Sequence, residues 1–222
     1  MNTTVDSRPV GADDLVHLRS CVDLARRALE AGDKPFGSVL VDEAGTVRFE
    51  DRNRESSGDA TSHPEFAIAK WAAENMQPEE RAASVVYTSG EHCAMCSAAH
   101  AFVGLGRIVF ASSGAQYAGW KADLGMEPGP LSPLGISDVA PGIPVSGPVP
   151  ALAEEIRVLV EKSVRSGRGE NVTRGPTGRW RVSPRRSADS PRPRSRPPAS
   201  VRPGSRESRA RSTRWAAGAP TA

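Results

Sequence analysis

Near the start of the chain, apolar residues recur three or four positions apart, at Leu15, Leu18, Val22, Ala25 and Leu29. That spacing places them on one face of a helix, with Asp13 or Asp14 as N-cap and Gly32 just past the end. The period then shortens. Residues 37–41 and 46–49 flank the turn Asp42-Glu43-Ala44-Gly45 and read as a β-hairpin. Residues 51–62 are polar and loop-like. A second helix is expected from about 64 to 76, because proline is tolerated in a first turn and Phe66, Ile68, Ala69 and Ala72 follow Pro64. Residues 84–88 read as a short buried strand, a third helix begins near Cys93, and 107–111 read as another strand before a helix over 115–124. A Pro/Gly-rich connection, 128–150, carries a short strand near 143–145, and a last helix over 151–164 buries Leu152, Ile156, Leu159 and Val160. The alternation predicts an α/β sandwich, with helices on both faces of a mixed sheet.

Beyond Ser166 the periodicity stops, and Arg, Pro, Ser, Gly and Ala dominate. Such a segment buries too little apolar surface to offset its ordering entropy, so 166–222 is expected to be a disordered tail and 1–165 the folded domain. Charge divides at the same place. Residues 1–165 hold 15 basic against 23 acidic side chains, a net of −8, whereas 166–222 hold 14 arginines against 3 acidic residues, a net of +11. The overall +3 therefore describes neither part. An acidic body does not attract a polyanion; an Arg-rich tail is suited either to sequence-indifferent nucleic-acid contact or to plain solvation. No stretch has the length and apolarity of a membrane-spanning helix, the first ten residues lack the apolar core of a secretory signal, and a cytoplasmic protein is expected. Three cysteines, two of them in a Cys-x-x-Cys pair, favour metal or thiol chemistry over a disulfide framework.

Two short segments carry that chemistry: His63-Pro64-Glu65 and Cys93-Ala94-Met95-Cys96. Cys93 and Cys96, three apart at a helix start, present sulfurs from neighbouring positions, and the free amides and dipole of that helix end favour thiolates. His63, at the start of the second helix, supplies a third ligand if the two helix starts face each other. Three protein ligands and one place left to water is the pattern of catalytic zinc. Glu65, two residues along, cannot easily bind the same ion but can reach its water and move protons. A structural zinc site would want a fourth protein ligand, for which His92 and His100 are the nearby candidates. Cys21 reads as a small core residue, Trp71 and Trp120 as packing residues, and Asp123 as a solvated acid or a proton-transfer aid on a lid.

Here the chain resembles the cytidine-deaminase-like zinc deaminases, whose signature is H-x-E followed at a distance by P-C-x-x-C. It stands as His63-Pro64-Glu65 and His92-Cys93-Ala94-Met95-Cys96, within a likeness covering roughly residues 12–125. The likeness includes Pro35-Phe36-Gly37-Ser38-Val39, Asn53, Asp59-Ala60-Thr61-Ser62 and Leu105-Gly106-Arg107-Ile108-Val109-Phe110. Within the family the chain looks most like the guanine deaminase and tRNA adenosine deaminase branch. The resemblance implies a three-layer α/β/α sandwich with a five-stranded mixed sheet, one Zn²⁺ per chain and a homodimer. It also implies that Asn53 hydrogen-bonds the substrate and Phe36 packs on its ring. Pro64 stands where relatives usually have Ala, whose N–H commonly contacts the substrate ring, and proline offers no such donor. His92 stands where the signature has Pro.

These readings converge on a zinc-dependent hydrolytic deaminase of a nucleobase or nucleoside; the acidic body favours a small molecule over RNA, and the Pro35-Phe36-Gly37 triplet, which resembles that of enzymes acting on free bases and guanine deaminase in particular, implies a guanine-type purine as lead substrate. A tRNA adenosine deaminase recruiting the basic tail is the alternative, and a non-catalytic zinc or nucleic-acid-binding protein is the reading from another class.

Overall fold

The computed structural model describes residues 8–167, 172–174 and 179–182. The first helix, α1 (Ala12–Glu30), begins where Asp14 reaches back to accept a hydrogen bond from the Gly11 N–H, and it ends before Gly32, whose φ is 89°. Its buried stripe is Leu18, Cys21, Val22, Leu24, Ala25 and Ala28, while Leu15 stays 40% exposed. Strands β1 (Gly37–Val41) and β2 (Val47–Arg52) form the expected antiparallel hairpin. A 3-10 turn (Glu55–Ser57) then leads to α2 (Pro64–Asn75). After α3 (Pro78–Ala83) come β3 (Val85–Gly90), α4 (Ala94–Val103), β4 (Arg107–Ser112) and α5 (Gly114–Asp123). The four-residue α6 (Ile136–Val139), β5 (Val145–Ser146) and α7 (Pro150–Arg165) complete the domain.

The five strands lie in the order β2-β1-β3-β4-β5. β1 pairs antiparallel with both β2 and β3, whereas β3, β4 and β5 run parallel, so the sheet is mixed. β1 is buried along its whole length because the sheet is covered on both faces. Alternation along the strands divides the core in two. Val39, Val41, Tyr87, Val109 and Ala111 meet α1 and α7 through Leu18, Val22, Leu152 and Ile156. Leu40 and Val86 meet α2 through Ile68, Ala69 and Ala72, with α4 beside it. This is the three-layer arrangement expected from the pattern. Each fully buried Leu or Ile in it contributes about 1.5–3 kcal/mol of transfer free energy. Gly37 is required by that packing: a Cβ there would lie 2.3 Å from Leu24 Cβ and 2.7 Å from the Cys21 carbonyl oxygen.

An ionic cluster ties the N-terminal helix to the sheet. Asp14 accepts from Tyr87 Oη at 2.8 Å and from Arg107 Nη1 at 3.2 Å. Burial pushes the Asp14 carboxyl up, but the Gly11 amide, Tyr87 and Arg107 outweigh it and hold it below the usual carboxylate value. A depressed acid contributes stability above its unfolded pKa and loses it as the pH falls through the folded one. Asp14→Asn is therefore expected to cost about 1.5–3 kcal/mol at pH 7, the range of a charged buried hydrogen bond. The gap to the parent chain should narrow in thermal melts as the pH drops below about 4. A gap that does not change with pH contradicts this assignment.

Three features depart from the expected pattern. α3 and α6 were not anticipated, since α3 buries no side chain and α6 buries only Ile136. Two short strands, β6 (Val172–Arg174) and β7 (Trp180–Val182), pair antiparallel inside the segment expected to be disordered. Val172, Thr173, Trp180 and Val182 are the β-branched and aromatic residues that suit strands, and they flank Gly175-Pro176-Thr177-Gly178 in the sequence. The rest of the tail, 168–171, 175–178 and 183–222, lies outside the described residues.

Candidate metal centre and active site

The site gathers where β2 and β3 end and α2 and α4 begin. Cys93 is the N-cap of α4 and Cys96 sits in its first turn; His63 is the N-cap of α2, with Pro64 at its first position. Proline fits there because the first helical N–H has no intrahelical partner to lose. His63 Nδ1 lies 3.7 Å from Cys93 Sγ and 3.6 Å from Cys96 Sγ. A tetrahedral zinc with bonds of about 2.3 Å to sulfur and 2.05 Å to nitrogen sets those same S···N separations at about 3.6 Å. One nitrogen and two sulfurs at that spacing fit zinc in both size and chemistry. His63, Cys93 and Cys96 are the only group of three or more His, Cys, Asp or Glu side chains, among the described residues, placed to hold a metal ion.

The two histidines near enough in sequence to complete a closed site do not join it. His92 and His100 are fully buried and pack edge to face, ring centres 5.3 Å apart. His100 Nε2 donates to the Gly106 carbonyl at 2.8 Å, and neither His92 nitrogen has a partner among the described residues. Burial holds His92 well below the ordinary imidazole value. With no fourth protein ligand in the group, one coordination place stays available to solvent or substrate, as a catalytic site requires.

Glu65 lies beside the triangle, 5% exposed. Its Oε2 is 3.8 Å from Cys96 Sγ, and its Oε1 is 2.9 Å from Thr88 Oγ1. Thr88 stands on β3 opposite Ser38 of β1, whose hydroxyl lies 2.9 Å away, and it is also 2.8 Å from the Gly90 carbonyl. Thr88 has a single O–H proton. When that proton goes to Gly90, the Glu65 carboxyl must be the donor, so the Ser38–Thr88 pair can hold Glu65 in either protonation state. Burial pushes the Glu65 carboxyl up, against the pull of the His63 charge. A proton carrier working near neutral pH needs that shift.

The ligands are strongly coupled. Cys96 donates toward Cys93, and with His63 it draws the Cys93 thiol down to about 4. Cys96 itself is pushed up. Burial lowers His63, but Cys93, Glu55 and the Glu65 charge outweigh it and raise it to about 10. A divalent ion held by His63, Cys93 and Cys96 would take the place of these protons, since zinc ligands are thiolates and neutral imidazole.

Pattern reasoning missed Glu55 altogether. It is 1% exposed in the 3-10 turn, with Oε1 3.1 Å from His63 Nε2 and Oε2 2.9 Å from Lys34 Nζ. Burial raises its carboxyl, but His63, Lys34 and Asn53 overcome that and bring it to about 2. In the sequence it is one acid among several in a polar loop, and only its position eight residues before His63 could have drawn notice. Glu91 was likewise unmarked. Its carboxylate accepts from Gly114 N at 2.8 Å and Ile136 N at 3.0 Å, tying the first turns of α5 and α6 to the loop that carries Cys93.

The remaining residues singled out from the sequence fall as follows. Asn53 is fully buried, donating to Glu55 Oε1 at 2.9 Å and accepting from Glu55 N at 3.0 Å. Phe36 is half-buried against Gly90 and packs edge-on to Tyr117 at 5.2 Å. Cys21 is a core residue, Trp71 stacks on Phe49, and Trp120 packs on the α1/α7 core. Asp123 is exposed at the end of α5, where it has no part in the metal group.

Residues 12–112 match the family model described as the cytidine and deoxycytidylate deaminase zinc-binding region. The chain is 33% identical over 109 residues to a probable cytosine deaminase of Schizosaccharomyces pombe, covering 49% of this chain and 66% of that protein. It is 33% identical over 97 residues to a tRNA-specific adenosine deaminase of Haemophilus influenzae, covering 43% of this chain and 56% of that one. It thus spans just under two thirds of the first relative's length and little over half of the second's. A solved structure of guanine deaminase from Nitrosomonas europaea shares the fold, with a TM-score of 0.52 at 18% identity over 70% of this chain and 86% of that one. Residues 12–112, which hold His63, Cys93 and Cys96, form a zinc-binding region of the cytidine and deoxycytidylate deaminase family.

Proposed function

We propose that this chain is a zinc-dependent hydrolytic deaminase that replaces the exocyclic amine of a nucleobase or nucleoside with a carbonyl oxygen and releases ammonia. The observation that carries the reading is the three-ligand triangle with the buried Glu65 at its side and no fourth protein ligand among the described residues. Zinc held by His63, Cys93 and Cys96 supplies the Lewis acidity that makes water a nucleophile at neutral pH. Glu65 takes the proton from the attacking water and passes it to the ring nitrogen beside the carbon under attack. It then takes the second proton, from the newly added hydroxyl, and gives it to the departing amine, so that the hydroxyl oxygen stays as the carbonyl and the amine leaves as ammonia. The Ser38–Thr88 pair holds its carboxyl in place through both transfers.

A guanine-type purine is the lead substrate. The −8 charge of residues 1–165 and the Pro35-Phe36-Gly37 triplet, which resembles enzymes of free bases, favour a small ligand over a polyanion. Phe36 serves as the apolar wall for the ring. Asn53 uses one lone pair of its oxygen on the Glu55 amide and one N–H on the Glu55 carboxylate, which leaves one N–H and one lone pair for the substrate. Pro64 withholds a backbone donor at the helix start. A homodimer is the assembly we assign; Phe102 on α4, 90% exposed, is the kind of residue an interface covers.

The match to a tRNA-specific adenosine deaminase, together with the 14 arginines of residues 166–222, supports a second reading, in which the tail recruits RNA. Ammonia release from guanine, guanosine, cytosine, cytidine, adenosine and a tRNA by zinc-loaded full chain and by a chain ending at Arg165 separates the two. Equal activity of both on a free base is the expected result. Activity confined to tRNA and lost with the tail overturns the small-molecule reading.

A further inference from the structure

We propose that Glu55 is a positioning residue of the metal centre: its carboxylate fixes His63 as the Nε2–H tautomer, so that Nδ1 keeps its lone pair for the ion, and Lys34 and Asn53 hold that carboxylate in place. The inference rests on the zinc reading above and deepens it.

A neutral imidazole has one donor and one acceptor nitrogen, and only the acceptor binds a metal. Without an external constraint, His63 would populate both tautomers. Its surroundings remove the choice. Nδ1 faces the two sulfurs at 3.7 and 3.6 Å, while Nε2 faces Glu55 Oε1 at 3.1 Å. A carboxylate only accepts, so the proton belongs on Nε2 and the lone pair on Nδ1. An anion behind the ring also makes the ring a stronger ligand.

The carboxylate is itself held. Its side chain is 1% exposed, and a buried anion persists only where donors surround it. Here His63 Nε2 and Asn53 Nδ2 address Oε1, and Lys34 Nζ addresses Oε2. The Glu55 N–H in turn binds Asn53 Oδ1, which rules out the flipped amide. The next residue is anchored too: Ser56 N donates to Asp33 Oδ1 at 2.7 Å, and Arg52 pairs with the other Asp33 oxygen at 2.8 Å. Charge balances throughout. One divalent ion with two thiolates is neutral, and so is Glu55 with Lys34, so the carboxylate can sit behind His63 without leaving an uncompensated buried charge.

The test is the zinc dissociation constant of the full chain, measured by competition with a chromophoric chelator, for the parent, Glu55→Ala and Glu55→Gln. Glu55→Ala is expected to bind zinc about 10–100-fold more weakly, the usual cost of losing a partner behind a metal-bound histidine. Glu55→Gln keeps an oxygen that accepts from Nε2–H, so its loss should be smaller, about three- to tenfold by the same reasoning. Nitrogen-15 NMR of the His63 ring gives a readout that a merely structural role would not move. In the zinc-loaded parent the His63 Nε2–H proton should resonate downfield, hydrogen-bonded to the Glu55 carboxylate, and Glu55→Ala should move it upfield. If Glu55→Ala does not fold, Glu55→Gln carries the test alone. Affinity within about twofold of the parent in the folded variants overturns the proposal. A parent chain that binds no zinc would instead sink the functional reading, so the two failures are distinguishable.

Discussion

Glu65→Ala is expected to lower turnover by about a thousandfold, within the range assigned to a positioned acid–base group, while the protein keeps its zinc. The expectation follows from where Glu65 stands. It is outside the triangle that holds the ion but within 3.8 Å of Cys96 Sγ, so removing it takes away the proton carrier and leaves the ligands. Its burial makes any replacement by bulk water inefficient, because a 5% exposed site admits little of it. Glu65→Gln should behave alike, since an amide keeps the contact with Thr88 but cannot carry the proton. Zinc content by atomic emission, alongside ammonia release, checks both halves. Turnover within tenfold of the parent, or loss of zinc together with activity, contradicts the role assigned to Glu65.

Removing a ligand should have the opposite pattern. Cys96→Ala deletes one corner of the triangle, and both zinc binding and turnover are expected to disappear together. Stability should follow the metal, because an ion that binds only the folded chain stabilises it by about 2.7 kcal/mol at one hundred times its dissociation constant. The parent stripped by a chelator should therefore melt at a lower temperature and recover on adding zinc, whereas Cys96→Ala should melt at one temperature with or without it. Cys21→Ala is the control: Cys21 is fully buried in the α1/α7 core and is not one of the metal group, so it should cost packing and leave zinc binding intact. A Cys96→Ala protein that still holds one zinc per chain at parental affinity would show that the ion lies elsewhere.

What could be read from the sequence, and what could not, divides along physical lines. α1 and α7 announce themselves because each buries one stripe, and Leu18, Val22, Ile156 and Val160 repeat at the period of a helix. β1, β3 and β4 are apolar enough to be found, although short buried runs leave their ends loose; β3 runs on to Gly90, beyond the expected end at 88. The ligands are legible because a helix start fixes the geometry of Cys93 and Cys96 from their spacing alone. Leu15 is the reverse case: it keeps the helical period yet lies at the rim, since the period places a residue on a face but does not say how far the sheet extends beneath it. α3 makes no apolar pattern at all, and its only marks are Pro78 at the first position and Glu79 and Glu80 in the first turn. Glu55 is the most consequential omission. Its burial depends on a 3-10 turn that folds a polar loop back under His63, and no local periodicity encodes a contact between an acid and an imidazole eight residues on. Asn53 shows the same limit. Family resemblance marks it for the substrate, and the fold shows that half of its side chain's hydrogen-bonding capacity is spent on Glu55.

X-ray absorption at the zinc edge of the purified full chain tests the centre most directly. Two sulfurs at about 2.3 Å and two nitrogen or oxygen scatterers at about 2.0–2.1 Å, with one zinc per chain, is the expected shell: Cys93, Cys96, His63 and one exchangeable light ligand. A shell of four protein ligands, a shell without sulfur, or a chain that holds no zinc would contradict the assignment of these residues to an open metal site.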